Sequence, residues 1–139
     1  METNWMRQDL YMVCLHEAAH AGVAHRLGYA GVHFRIWRRT DPGAARAFGG
    51  ATYVFEETTA EHTRLICLAG VVAELLAAQT PPGDDTIQSW LIDGAVRLSS
   101  ADGAGAEGFS APDVARTVEL VRSCWPAIQE EMDAWMRAD

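Results

Sequence analysis

The stretch His16-Glu17-Ala18-Ala19-His20 constrains the fold of this chain more than any other part of the sequence. Each residue of an α-helix advances by about 100°, so residues four positions apart lie on one face. A helix therefore lets the imidazoles of His16 and His20 reach one metal ion, with the Glu17 carboxylate close by. This spacing is the HExxH signature of zinc peptidases. It predicts a helix in which His16 and His20 bind Zn²⁺ and Glu17 is the catalytic general base.

The segments around this motif alternate between helical and extended patterns. Apolar residues at helical spacing predict a helix over residues 4–27, with Gly28 placed to end it. Residues 32–37 alternate in character and predict a strand. Residues 49–55 predict a second strand paired with the first, and residues 40–48 between them predict a loop or turn. Further helices are predicted over residues 57–79, over 84–99 and from Ser110 toward Arg137, with a loop at 101–108 and a break at Pro126. The expected fold is mainly α with a small β-hairpin, an α+β class.

Composition limits the classes of function. The 139 residues are 49% hydrophobic and 22% charged, which is typical of one globular domain spanning residues 1–139. A net charge of −8 gives no support for binding nucleic acid or an anionic membrane. Three cysteines without CxxC spacing and the lack of a signal peptide or membrane-spanning stretch favour a soluble, cytoplasmic protein.

A catalytic zinc takes three protein ligands and a water, so a third ligand has to be found. The extended pattern HExxHxxGxxH is not met, since Val23 and Arg26 stand where it requires glycine and histidine. Two carboxylates are candidates. Glu74 lies within an apolar helix and could bind zinc or orient a ligating histidine, and it could equally lie on the exposed edge of that helix. Asp113 stands at a helix start, where a capping role is also expected.

Several segments, in order along the chain, resemble the peptidase domain of the membrane-anchored AAA proteases of the FtsH type. The stretch 16–21, HEAAHA, is similar to that family's HEAGHA. Residues 68–74, LAGVVAE, resemble LAGRxAE with valine for arginine, and residues 113–120, DVARTVEL, resemble DLxxATEI. Gly49-Gly50-Ala51-Thr52 is similar to the glycine-threonine strand that follows the metal helix there.

This resemblance implies an FtsH-peptidase-like helical zincin domain with Asp113 as the third zinc ligand and Glu74 in a supporting role. It also implies that substrate lies extended beside the second strand. The residues expected to bind substrate there are Gly50, Ala51, Thr52 and Tyr53.

The chain also departs from that family. It contains no transmembrane helices and no phosphate-binding loop, and Val71 replaces the arginine of the second motif. Residues 84–108 have no counterpart and are expected to cover or reshape the cleft. We therefore expect an ATP-independent zinc metallopeptidase that acts on peptides or unfolded segments. The alternative is a degenerate, zinc-binding module for peptide binding or regulation, and homo-oligomerisation stays open.

Overall fold

The computed structural model of the protein describes residues 4–40 and 46–138. Within them the chain forms six helices and two strands. In order these are α1 (Asn4–Arg26), β1 (Val32–Arg38), β2 (Phe48–Val54), α2 (Ala60–Leu76), α3 (Asp84–Ile92), α4 (Ser100–Gly105), α5 (Ala111–Ser123) and α6 (Trp125–Ala138). The mainly helical architecture with one antiparallel strand pair confirms the predicted α+β class. Of the loop or turn predicted at residues 40–48, residues 41–45 lie outside the described residues, and Phe48 already belongs to β2.

Helix α1 is the central element, because it contacts both strands as well as α2, α5 and α6. Leu15, Ala19 and Val23 are completely buried. A helix covered on most sides carries apolar residues around much of its circumference, and the small alanines allow its neighbours to approach closely. The helix ends at Arg26, and Gly28 follows with a φ of 102°, as the predicted glycine stop requires.

The two strands form a hairpin that lies against α1. The register pairs Phe34 with Thr52 and Ile36 with Gly50. Since side chains alternate between the two faces of a strand, Gly50 and Thr52 lie on the same face of β2. That face is turned toward α1, because Thr52 hydrogen-bonds to Glu17. The hairpin therefore brings the second strand to the HExxH motif.

The region between α2 and α5 differs from the sequence prediction. The third helix was expected over residues 84–99, but α3 ends at Ile92. A loop was expected over 101–108, but α4 forms there because the Ser99 side chain accepts a hydrogen bond from the Asp102 N–H at 3.2 Å. The Gly and Ala content of this segment suggested a loop, whereas the capping serine starts a short helix.

Two other boundaries have local causes. Helix α2 begins at Ala60 instead of residue 57, because Thr59 is its N-cap and accepts from the His62 N–H. The predicted break near Pro126 falls at Cys124, between α5 and α6, where proline is accommodated in the first turn of α6. Within the described residues, no helix is both long enough and apolar enough to cross a bilayer.

Candidate metal centre

The two histidines of the motif lie side by side on α1 and point to one place. Their rings meet edge to face, with centroids 4.6 Å apart and an interplanar angle of 81°. The Oδ2 atom of Asp102, on α4, lies 3.0 Å from Nε2 of His16 and 3.3 Å from Nε2 of His20. These three residues are the group that could hold a metal ion in the described part of the chain.

The other nitrogen of each imidazole is held by an acceptor on α2. Nδ1 of His16 lies 2.8 Å from Oε2 of Glu74, and Nδ1 of His20 lies 2.5 Å from the carbonyl oxygen of Ile66. A carbonyl oxygen and a carboxylate accept hydrogen bonds, so Nδ1 donates in both contacts. A neutral imidazole that donates through Nδ1 presents a lone pair at Nε2, which is the form that binds a metal.

This arrangement could hold a metal ion. In the neutral form of both rings, three acceptor atoms face one another, so a cation has to lie among them, either a proton or a metal ion. Metal–ligand distances of about 2.0–2.1 Å place the ligands of a tetrahedral zinc about 3.3 Å apart. The two distances from Asp102, 3.0 and 3.3 Å, match that spacing.

Charge interactions favour the protonated, cationic form of His16 and the ionised form of Asp102. Burial lowers the pKa of His16, but hydrogen bonds from its ring to Asp102 and Glu74 outweigh burial and raise the pKa to about 10. Burial raises the pKa of Asp102, but hydrogen bonds from His16 and His20 hold it well below its usual range. At neutral pH, Asp102 is therefore ionised, and a metal entering the group displaces a proton from His16.

Two glycines allow these elements to approach one another. A Cβ atom added to Gly70 on α2 would lie 2.5 Å from the ring of His16. A Cβ atom added to Gly105 on α4 would overlap the sulfur of Cys67 on α2. The missing side chains let α2 pack under the first histidine and let α4 bring Asp102 to the histidines.

Glu17 is held between α1 and the second strand. Its side chain is 7% exposed, and its Oε1 atom accepts a hydrogen bond of 2.7 Å from the Thr52 hydroxyl. A Cβ atom on Gly50 would lie 2.7 Å from Cγ of Glu17 and 2.9 Å from its Oε2. The strand therefore fixes one carboxylate oxygen and has no side chain that would obstruct the other.

These groups share a cavity of about 390 Å³. His16, Glu17 and Asp102 line it together with residues 49–51 of β2. Arg97 and Ser99, from the segment between α3 and α4, also line it, as do Arg39 and Arg46. The segment 84–108, expected to reshape the cleft, thus contributes both Asp102 and Arg97 to its wall.

Asp113, expected as the third ligand, is placed elsewhere by the structure. It lies in the first turn of α5, where its Oδ2 accepts from the Ser110 N–H at 3.1 Å and from Nε of Arg64 at 3.0 Å. The metal-capable group contains Asp102 in its place. The spacing Ser99-x-x-Asp102 is a helix-start pattern that could have drawn attention to α4, but it carries no signal for metal binding.

Of the other predicted site residues, the structure brings Glu74, Gly50, Ala51 and Thr52 to the site, whereas Tyr53 lies apart from it. Glu74 lies on the outer side of His16 and contacts Nδ1, the position of an orienting group instead of a ligand. Gly50 and Ala51 line the cavity, and Thr52 contacts Glu17. Tyr53 points away from Thr52 and stacks on Phe55, with ring centroids 6.1 Å apart.

Comparisons with protein-family models and with curated proteins found no match for this chain. The interpretation of the site therefore depends on its motif and its geometry.

Proposed function

We propose that this protein is a zinc-dependent metallopeptidase that hydrolyses peptides or unfolded segments without ATP. The observation that carries the proposal is the convergence of His16, His20 and Asp102 beside the buried carboxylate of Glu17. Two histidines and one carboxylate form a common ligand set of catalytic zinc, which keeps a position open for water.

The residues of the site would have separate roles in metal binding, in ligand orientation and in proton transfer. His16, His20 and Asp102 hold the metal, while Glu74 and the Ile66 carbonyl fix the imidazole orientations. Zinc, when bound, polarises the scissile carbonyl and lowers the pKa of water toward neutrality. Glu17 takes the proton of the attacking water and later gives it to the leaving amine.

Thr52 has a positioning role in this scheme. Its hydroxyl donates to Oε1 of Glu17 at 2.7 Å, which leaves Oε2, the carboxylate oxygen beside Gly50, to exchange protons. A base whose rotamer is fixed in advance reaches the reactive geometry at a smaller entropic cost.

The second strand is the proposed place for the peptide substrate. β2 pairs with β1 on one side, and Gly50 and Ala51 line the cavity beside Glu17. A peptide in extended conformation can add to such a strand through backbone hydrogen bonds, with its scissile bond near the metal. The small side chains of Gly50 and Ala51 leave room for the approach.

The relationship to the FtsH-type peptidase domains is part of this proposal. The order of a metal helix, a glycine-rich strand and a glutamate-bearing second helix supports it. The position of the third ligand differs, because Asp102 takes the role that the resemblance gives to Asp113. We propose that this protein acts in the cytoplasm.

The proposal is tested by metal analysis and peptide cleavage on the same preparation. Purified protein should contain one zinc per chain and cleave members of a peptide library. Glu17→Gln should keep the zinc and lower kcat by at least 100-fold, since general base catalysis contributes about 10²–10⁴-fold. Zinc with peptide binding but no cleavage dependent on Glu17 would instead favour the degenerate binding module. A protein that binds no zinc at any pH would overturn both.

A further inference from the structure

Arginine is concentrated at the cavity of an otherwise acidic protein. The net charge is −8, and all eleven basic side chains are arginines. Three of them, Arg39, Arg46 and Arg97, line the cavity that is also lined by His16 and Asp102 of the metal-capable group. They come from separate parts of the chain: the end of β1, the connection before β2, and the segment before α4.

The acidic side chains of the cavity are engaged with neighbours inside the protein. Glu17 accepts from Thr52, Glu74 from His16, and Asp102 contacts both histidines. The three arginines balance these three carboxylates. A divalent ion bound at the histidines would therefore make the cavity positive, and anionic groups would be attracted to it.

The arginines have few partners of their own. Arg97 is exposed and makes no hydrogen bond or ion pair with any residue in 4–40 or 46–138. Among the described residues, the carboxylates nearest to Arg46 are those of Glu74, at 3.8 Å, and Asp9, at 3.9 Å. Arg39 donates one long bond of 3.4 Å to the Phe48 carbonyl. A guanidinium has five N–H donors, and the contacts within the described residues use only a few of them, so these arginines can bind a ligand.

We infer that the cavity selects peptides that carry a carboxylate near the scissile bond, and that Arg97, aided by Arg39 and Arg46, binds this carboxylate. The planar guanidinium matches a carboxylate through two parallel hydrogen bonds. The carboxylate is either an Asp or Glu side chain or the C-terminus of the peptide. The inference rests on the proposed function, because the same cavity has to hold the substrate backbone.

Peptide binding to the zinc-loaded Glu17→Gln variant tests this without turnover. Fluorescence anisotropy would measure the binding of peptides whose other side chains are uncharged and in which one Glu is moved along the sequence. The same peptides with Gln in place of Glu are the comparison. Each peptide would be made as free acid and as amide. We expect about tenfold tighter binding of the carboxylate-bearing forms. A preference for Glu over Gln identifies a side chain, and a preference for acid over amide identifies the C-terminus.

Arginine variants in the same Glu17→Gln background assign the preference to residues. Arg97→Gln should reduce the preference for the carboxylate-bearing peptides to less than twofold. Arg116→Gln, which removes an exposed arginine of α5 that pairs with Glu119, is the matched control and should leave it unchanged. Equal binding of all four peptide forms would overturn the inference. A preference that persists when Arg39, Arg46 and Arg97 are all changed to Gln would also overturn it.

Peptide cleavage by the wild-type protein distinguishes a failure of this inference from a failure of the proposed function. If the peptides are cleaved and kcat/KM shows the same preference, both stand. If cleavage depends on Glu17 but ignores the carboxylate, the function stands and the inference fails. If nothing is cleaved but binding retains the preference dependent on Arg97, the peptidase function fails and the carboxylate site stands.

Discussion

Two aspartates with the same local sequence pattern have different roles in this protein. Asp102 follows Ser99 by three positions at the start of α4, and Asp113 follows Ser110 by three positions at the start of α5. Asp113 turns its carboxylate back onto its own helix and onto Arg64. Asp102 directs its carboxylate away from its helix, to His16 and His20.

The elements across from each helix explain the difference. Helix α5 faces Arg64 of α2, whose guanidinium pairs with Asp113, and Asp113 forms a capping box with Ser110. Helix α4 packs against α2 through Gly105 and so comes close to the two imidazoles of α1. A local pattern therefore predicts a helix start, and the tertiary partner decides whether the acid caps the helix or joins a group that could hold a metal ion.

The largest expected effect is on zinc binding, when Asp102 is exchanged for asparagine and compared with the same exchange at Asp113. Asp102→Asn should weaken zinc binding by more than 100-fold, because it removes a charged ligand, and residues that only orient a ligand already contribute 10–100-fold. Asp113→Asn should change the affinity by less than about threefold. Competition against a chromophoric chelator at pH 7 measures both. Loss of zinc in Asp113→Asn with retention in Asp102→Asn would restore the third ligand implied by the family resemblance.

An intermediate loss of zinc affinity is expected when Glu74, which contacts His16, is changed. Glu74→Gln keeps an oxygen that accepts from Nδ1 but removes the negative charge, so zinc binding should weaken by about tenfold. The same chelator titration measures it. Glu119→Gln, at a side chain that is 72% exposed on α5, is the matched control for loss of one acid. Equal affinities of the two variants would mean that the charge of Glu74 contributes nothing to the metal site.

Features encoded locally were predicted from the sequence. The metal helix, expected over 4–27, spans Asn4–Arg26, and the strands expected over 32–37 and 49–55 form the hairpin. Hydrophobic periodicity, a glycine stop and strand alternation suffice for such elements. The start of α5 was also predicted, because its N-cap Ser110 and the proline and aspartate that follow are helix-start signals.

The third member of the metal-capable group could not be found in this way. Asp102 lies 82 positions after His20 in the chain, and only the packing of α4 on α2 brings them together. That packing depends on Gly105, which appears in the sequence as one more small residue in a loop-like segment. Asp113 had the stronger local signals, and those signals describe its capping bonds.

The smallest expected effect concerns the stability that Asp113 contributes. Asp113→Asn should lower the free energy of unfolding by about 1–2 kcal/mol at pH 7, because it weakens a capping box and removes an ion pair with Arg64. Burial raises the pKa of Asp113, but hydrogen bonds from Ser110 and Arg64 outweigh it and lower the pKa below its usual value.

A lowered pKa in the folded state fixes the direction of the pH dependence. The contribution of Asp113 is fully present above the unfolded-state pKa, about 3.9, and is lost as the pH falls through the lower folded-state value. The difference in unfolding free energy between wild type and Asp113→Asn should therefore be constant from pH 7 to 5 and shrink below pH 4. Urea unfolding in the presence of a chelator measures this difference without the metal. A difference that disappears on removal of zinc at pH 7 would instead make Asp113 part of the metal site, and the two aspartates would then share one role.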